Sequence, residues 1–370
     1  MKYYIIAGEA SGDLHGSNLI KEIYKFDPNA IIRAWGGDKM KSEGAVIIKH
    51  FKELSFMGFY EVFINLKTIL RNISFCKNDI LKFNPDKIIF IDYPGFNLRI
   101  AKWAKKNKFN TNYYIAPQIW AWDEKRIKNI KSNIDQLYVI LPFEKDYFEN
   151  KHNYKVKFLG HPLLDSIKSF KKPKKTDFFN KHKLDIKKEI ICILPGSRKQ
   201  EIKKILNIML KVTNDFSNYQ FIIAGAPNID LEFYNTIISD KNVKVIKDKT
   251  YSLLCNSKAA LVTSGTATLE TAIFKIPQVV CYKTSVISYF LAKIFIKIKF
   301  ISLVNLIMNE EIIKELIQYN CSKKNIVKEL KKVLDLKNRN KLSDKYEKLI
   351  SLLGTSGSSN RLAKDIVLKK

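Results

Sequence analysis

The sequence predicts an α/β protein built as two doubly wound layers in tandem, with a cleft between them. Three observations predict it. Short apolar runs alternate with helical patterns over most of the 370 residues. Those runs are apolar on both faces, as strands of a parallel sheet covered by helices must be. The alternation breaks once, at the charged, Pro173-containing stretch "KSFKKPKKTDFFNKHK", and then starts afresh.

In the first half the strands are "YYIIA", "AIIRAWG", "KIIFID", "NYYIA", "LYVIL" and "VKFLG", separated by helical stretches such as "NLIKEIYKF" and "NLRIAKWAKK". Right-handed crossovers make this an open sheet with helices on both sides. The charged stretch reads as a linker. Beyond it the strands are "EIICILPGS", "YQFIIAGAP", "VKVIKD", "AALVTSG" and "QVVCYK", and from Cys321 onward the chain is mostly helical and lysine-rich. The domains run over residues 1–168 and 169–345, with residues 346–370 as terminal helices packing back on the first domain. Ligands of such layers bind beyond the carboxyl ends of the strands.

Lys and Arg total 65 against 36 Asp and Glu, a formal charge of +29. An anionic partner follows (nucleic acid, an anionic membrane or a phosphorylated ligand), unless the lysines simply occupy solvated faces. No nucleic-acid motif and no basic stripe with interleaved stacking aromatics is present, so nucleic acid is not expected. The five cysteines form no C-x-x-C pair and the five histidines no ligand spacing, so neither a disulfide framework nor a metal site is expected. Gly8 and Glu9 break the first apolar run, which therefore does not read as a signal peptide. Lys293, Lys297 and Lys299 interrupt the most apolar stretch, from Ser288. Each costs roughly 2.5–3.5 kcal/mol at a bilayer centre, which argues against a span.

Four segments carry chemistry. "IIAGEASGDLHG" is a strand–loop–helix opening without dinucleotide or P-loop spacing. Its small Gly8, Ser11 and Gly12 would admit a sugar, and Glu9 and Asp13 would accept sugar hydroxyls, with Asp13 equally suited to be a helix N-cap. "FIDYPGFNLR" sets Asp92 at a strand's carboxyl end, as a general base or as an Asx-turn residue. "LPGSRKQE" offers Arg198 to phosphate oxygens, or to a surface ion pair. In "LVTSGTATLE", Ser264, Gly265, Thr266 and Ala267 open a helix whose free N–H groups suit a diphosphate, with Thr266 or Thr268 as cap. Glu270, one turn on, would accept ribose hydroxyls or face solvent. A further apolar stretch, "LSFMGFYEVFINLKTILRN", with Met57, Phe59 and Phe63, is either core or a surface that dips into a bilayer.

Taken together, "AGEASGDLHG", "IDYPGFNLR", "APQIWAW", "LPFEKDYF", "FLGHP", "LPGSRKQEI", "SGTATLE" and "SLVNLI" resemble the lipid-A-disaccharide synthase family, in its order and over nearly the whole chain to about Gln318. The resemblance implies two Rossmann-like domains of the GT-B glycosyltransferase type. It implies transfer of 2,3-diacylglucosamine from its UDP derivative to 2,3-diacylglucosamine 1-phosphate, with a β-1,6 linkage and release of UDP. It also implies no cofactor or catalytic metal, a peripheral place on the cytoplasmic face of the bacterial inner membrane, and a homodimer with exchanged carboxyl-terminal parts. Matched by motif, Asp92 is the base, Arg198 a phosphate contact and Glu270 a nucleotide-side residue, and Asn305, Glu311 and Gln318 are further site residues. Asp123 in "WAWDEKR" stands where the resemblance leads one to expect a basic residue. A UDP-sugar epimerase on the same scaffold is the alternative.

Overall fold

The structure is a computed structural model that describes residues 1–54, 66–238, 243–285, 289–290 and 298–369. Residues 1–168 and 353–370 form one compact unit, and residues 169–352 form another.

The first unit holds a parallel sheet of seven strands: β1 (Lys2–Ala7), β2 (Ile31–Gly36), β3 (Val46–His50), β4 (Lys87–Ile91), β5 (Asn110–Tyr114), β6 (Gln136–Val139) and β7 (Lys157–Phe158). Their spatial order is β3-β2-β1-β4-β5-β6-β7. The chain moves outward from β1 in one direction, then returns beside it with β4 and moves the other way. The carboxyl ends of β1 and β4 therefore flank a topological switch point, where such sheets bind ligands. Every residue of β4 is buried, because helices cover both faces. One face packs Tyr4, Ile6, Phe90 and Tyr113, and the other Ile5, Ile89, Ile91 and Tyr114.

The second unit repeats the plan with β8 (Glu189–Leu194), β9 (Tyr219–Gly225), β10 (Lys244–Lys247), β11 (Ser257–Thr263), β12 (Gln278–Tyr282) and β13 (Lys314–Ile317), ordered β10-β9-β8-β11-β12-β13. Its switch point lies between β8 and β11. Two strands, β3 and β13, escape the sequence reading. Both are edge strands: β3 is only partly buried and ends in His50, and β13 carries an exposed Lys314 and a buried Glu315 that accepts from Ile301 N and Ser302 N, so the apolar signal is weak. The charged stretch after Lys168 is only partly a linker, since the helix Lys175–Lys181 buries Phe178 and Phe179 in the second unit.

The helix Leu336–Leu352 stays with the second unit, so the return to the first begins at Leu353 rather than at residue 346. The closing helix Ser358–Leu368 lays Leu362, Ala363 and Ile366 against Leu19, Ile20 and Ile23 of the helix Ala10–Phe26. Asp165 receives its first turn: Ser358 N (3.2 Å), Ser358 Oγ (2.9 Å) and Ser359 N (2.9 Å) donate to the carboxylate, as does Gly357 N. At the other end Lys87 Nζ donates to Ile366 O at 2.6 Å. Gly160 must be glycine here. Its φ is +92°, and a Cβ would stand 2.9 Å from Arg361 Nη2 and 3.0 Å from Thr355 O.

Two histidines of this unit make its stability pH-dependent. Burial pushes His15 down to about 4, with Asp165 opposing, and pushes His161 down to about 3, with His15 adding. The unfolded chain then takes up these protons first, from about pH 6.5 downward. Stability contributed by each neutral imidazole is lost between about pH 6.5 and its folded value, at about 1.4 kcal/mol per pH unit. Glu144 acts oppositely between its ordinary value and about 7, to which burial raises it. Glu270 in the second unit, also raised to about 7, adds to that opposition, so the histidine share is read by difference. As pH drops from 7 to 5 the urea midpoint should fall less steeply, or rise more steeply, in His161→Asn than in the parent. An equal slope in that variant would assign the acid sensitivity elsewhere.

Candidate active site

In the first unit the loop after β1 carries Glu9 at the N-cap of the helix Ala10–Phe26, with no side-chain cap bond. Two expectations for this loop need correction. Gly8 does not offer its backbone to a sugar, because the Tyr93 ring lies there: a Cβ on Gly8 would stand 2.4–2.6 Å from three ring carbons. Asp13 neither caps its own helix nor faces a ligand. It is buried and accepts from Gly37 N (2.8 Å), Lys39 N (3.2 Å) and Met40 N (3.0 Å), fixing the turn after β2. Gly12 packs the helix on β1, its virtual Cβ 2.9 Å from that of Ala7. Ser11 is exposed.

Across the switch point Asp92 follows β4 directly. It and Tyr93 have left-handed backbones, with φ of +46° and +52°. Burial raises the Asp92 carboxyl above its ordinary value, and a hydrogen bond from Tyr93 N–H opposes the rise. A partly buried carboxylate with raised basicity at a strand's end suits proton abstraction.

Glu144 lies in the motif "LPFEKDYF", whose spacing alone assigns it no role. It is buried and accepts from Leu141 N (3.0 Å), Ile140 N (3.2 Å) and Trp120 Nε1 (3.0 Å). Burial raises its carboxyl to about 7, with the nearby Asp92 charge adding. Glu144 thus anchors the short helix Ile119–Trp122 near the candidate base. Asp123, where a basic residue was expected, pairs with Arg126 Nε at 2.6 Å, and the Arg126 guanidinium lies 4.5 Å from the Trp122 ring centre. Met57, Phe59 and Phe63 lie outside the described residues. The helix Leu66–Phe83 that follows them exposes Leu70 and Phe75 beside Lys67 and Arg71.

In the second unit, the loops after β8 and β11 flank the switch point. Gly196 turns the first loop with φ of +108°. Arg198 then caps the helix Lys199–Leu210. Its side chain is 57% exposed and its contact with Glu201 is long, at 3.6 Å, so its fork stays open to an anion. In the second loop Ser264 Oγ donates to Ile301 O at 2.7 Å. Gly265, at φ of +146° and with open space around its Cβ position, is the N-cap of the helix Thr266–Ile273. No threonine caps this helix: Thr268 Oγ1 donates to Gly265 O, and Thr266 is exposed. The helix start keeps donors for an anion. Ala267 packs on the core beneath. Glu270 is partly buried and accepts from Tyr251 at 3.0 Å; burial raises its carboxyl to about 7 while Tyr251 opposes.

The last three candidates divide. Asn305 is fully buried and closed on itself: Nδ2 donates to Ile313 O (2.8 Å) and Glu315 (2.9 Å), while Oδ1 accepts from Ile312 N and Ile313 N. It braces the site rather than touching a ligand. Gln318, buried with φ of +53°, likewise clamps the Thr284 main chain through both ends of its amide. Glu311 is exposed and pairs with Lys314 at 3.1 Å. Among the described residues no three His, Cys, Asp or Glu side chains group as metal ligands, and no helix is long and apolar enough to cross a membrane.

Comparison with known proteins adds the family. Residues 3–368 match the family model described as lipid-A-disaccharide synthetase. A lipid-A-disaccharide synthase of Syntrophus aciditrophicus is 35% identical over 367 residues, 97% of this chain and 95% of that one. One of Coxiella burnetii is 34% identical over 366 residues, 97% and 96% of the two chains. Among solved structures, a UDP-GlcNAc 2-epimerase of Neisseria meningitidis bound to UDP-GlcNAc aligns with a TM-score of 0.68 at 14% identity, covering 99% of this chain and 100% of that one. The calicheamicin glycosyltransferase CalG4 aligns at 0.61 with 12% identity, over 99% and 97%. These distant structures share the GT-B fold, whereas the full-length sequence matches go further: the chain belongs to the lipid-A-disaccharide synthetase family, whose members are glycosyltransferases.

Proposed function

We propose that this enzyme joins UDP-2,3-diacylglucosamine to 2,3-diacylglucosamine 1-phosphate. The observation that carries the mechanism is Asp92, a raised, partly buried carboxylate at the first switch point. The acceptor's 6-hydroxyl oxygen attacks the anomeric carbon while Asp92 takes its proton. The bond from that carbon to the diphosphate breaks on the opposite face, and UDP leaves with the electron pair. One displacement turns an α-linked donor into a β-1,6 product. Arg198 and the uncapped helix start at Gly265 stabilise the departing diphosphate with fixed donors, without a resident metal or other cofactor. Glu270 holds the ribose hydroxyls. The first unit is the acceptor side, with Glu9 and Ser11 near the sugar.

Incubation with both lipid substrates and mass spectrometry of the product tests this. A disaccharide phosphate and UDP are expected; an epimerised UDP-sugar formed without acceptor would favour the epimerase instead. The nucleotide roles separate by ligand. Arg198→Ala should weaken UDP about tenfold, the low end for a charged hydrogen bond at an exposed group, and leave uridine unchanged. Glu270→Ala should weaken both, and calorimetry with equal losses of UDP and uridine in Arg198→Ala would contradict the assignment.

The acyl chains place the reaction at a bilayer, so a peripheral seat on the anionic inner-membrane surface is part of the proposal, as is a homodimer with exchanged carboxyl-terminal parts. The +29 charge supports the former. Liposome binding that ignores salt and lipid charge would remove the electrostatic half of that seat.

A further inference from the structure

The geometry points to Asn97 and Tyr113 as positioning residues that hold Asp92 in the one backbone conformation from which its carboxylate serves as base. The inference rests on the reading of Asp92 given above. Two consecutive non-glycine residues with positive φ are costly and persist only where the surroundings over-determine them. Around Asp92 they do. Its main-chain carbonyl accepts from Tyr113 Oη at 2.6 Å and from Asn97 Nδ2 at 2.7 Å. Its N–H donates to Tyr114 O at 3.0 Å. Tyr113 stands on β5, paired with β4, and Asn97 in the first turn of the helix Pro94–Lys106. The same Asn97 amide lies 3.3 Å from Ile6 O and 3.4 Å from Ile91 O, so it bridges the ends of both strands at the switch point.

Both residues are fully buried. Asn97 Oδ1 is buried as well and has no hydrogen-bond partner among the described residues. A buried acceptor without a partner is destabilising, a cost that a leucine of similar volume would avoid. The donor end of this amide is therefore what the position uses. Without these donors the Asp92–Tyr93 peptide is free to relax toward ordinary φ. That would swing the carboxylate and lift the Tyr93 ring from Gly8. Displacing a reacting group by about 1 Å is enough to cost about 10²-fold.

The test is a double-mutant cycle with Asp92→Asn. Asparagine tolerates the left-handed region, so that variant keeps the backbone and removes only the base. Tyr113→Phe, which deletes one hydroxyl, should lower kcat on the order of 10- to 100-fold, with KM and UDP affinity little changed. In the Asp92→Asn background it should cost nothing further, because the group it positions is gone. The acid limb of its kcat/KM profile should also move to lower pH, as the carboxylate leaves its buried seat. Asn97→Leu is the second variant and is read by the same cycle. Unchanged kcat in Tyr113→Phe, or an equal loss in both backgrounds, overturns the positioning role and leaves Asp92 as base. Near-normal turnover in Asp92→Asn alone overturns the base, and positioning with it.

Discussion

Replacing Asp92 by Asn should lower turnover by about 10²–10⁴-fold, the range for loss of a general base, with UDP affinity almost unchanged. Asn keeps the shape and tolerates the positive φ, so the loss isolates the proton acceptor. The same carboxyl also sets the pH profile. Burial holds it above its ordinary value, so activity should fall off as pH drops through that raised value, above where an exposed aspartate would titrate. The stability sign is opposite. A carboxylate raised by burial destabilises the fold wherever it is ionised, so Asp92→Asn should melt at or above the parent temperature. Turnover within a few-fold of the parent would take Asp92 out of the mechanism; a lowered melt would show that the carboxylate braces the loop after β4.

Asp165→Ala should destabilise the first unit by about 1.5–3 kcal/mol, the usual worth of hydrogen bonds to a charged acceptor. Burial raises this carboxyl, but Ser359 and Gly357 N–H groups and the serine hydroxyls more than offset it, so it lies below its ordinary value. Its stabilisation is therefore present above the ordinary aspartate range and is lost as pH falls through the depressed value. Alanine leaves the helix start at Ser358 without its acceptor. Denaturant unfolding should show the loss in the first unit, and the closing helix should become sensitive to protease. A midpoint unchanged from the parent would mean that water replaces the carboxylate at no cost.

Much of this architecture is legible in the residues because parallel strands covered on both faces must be continuously apolar. β1, β4, β8 and β11 announce themselves that way, and Asp92, Arg198 and Gly265 follow directly because the loops after such strands carry the ligand groups. What stays hidden is what spacing does not encode. Asp13 and Asn305 look like ligand-side polar groups, yet fold into buried networks whose partners lie on other segments: Gly37 for one, Glu315 for the other. The Tyr93 ring on Gly8 depends on a backbone turn at Asp92 that no periodicity signals. Glu144 sits in a quoted motif, but only Trp120 and the Asp92 charge mark it as part of the site.

The return of the chain to its first unit has a consequence for biosynthesis. A ribosome adding about 5–20 residues per second needs on the order of 10–40 s to make the second unit. Throughout that time the helix Ala10–Phe26 lacks its cover, and Leu19, Ile20 and Ile23 wait for Leu362, Ala363 and Ile366. Nascent chains with such a face exposed are clients for holding chaperones. A polypeptide released before Ser358 would keep the face bare permanently, and quality-control proteases would find it there.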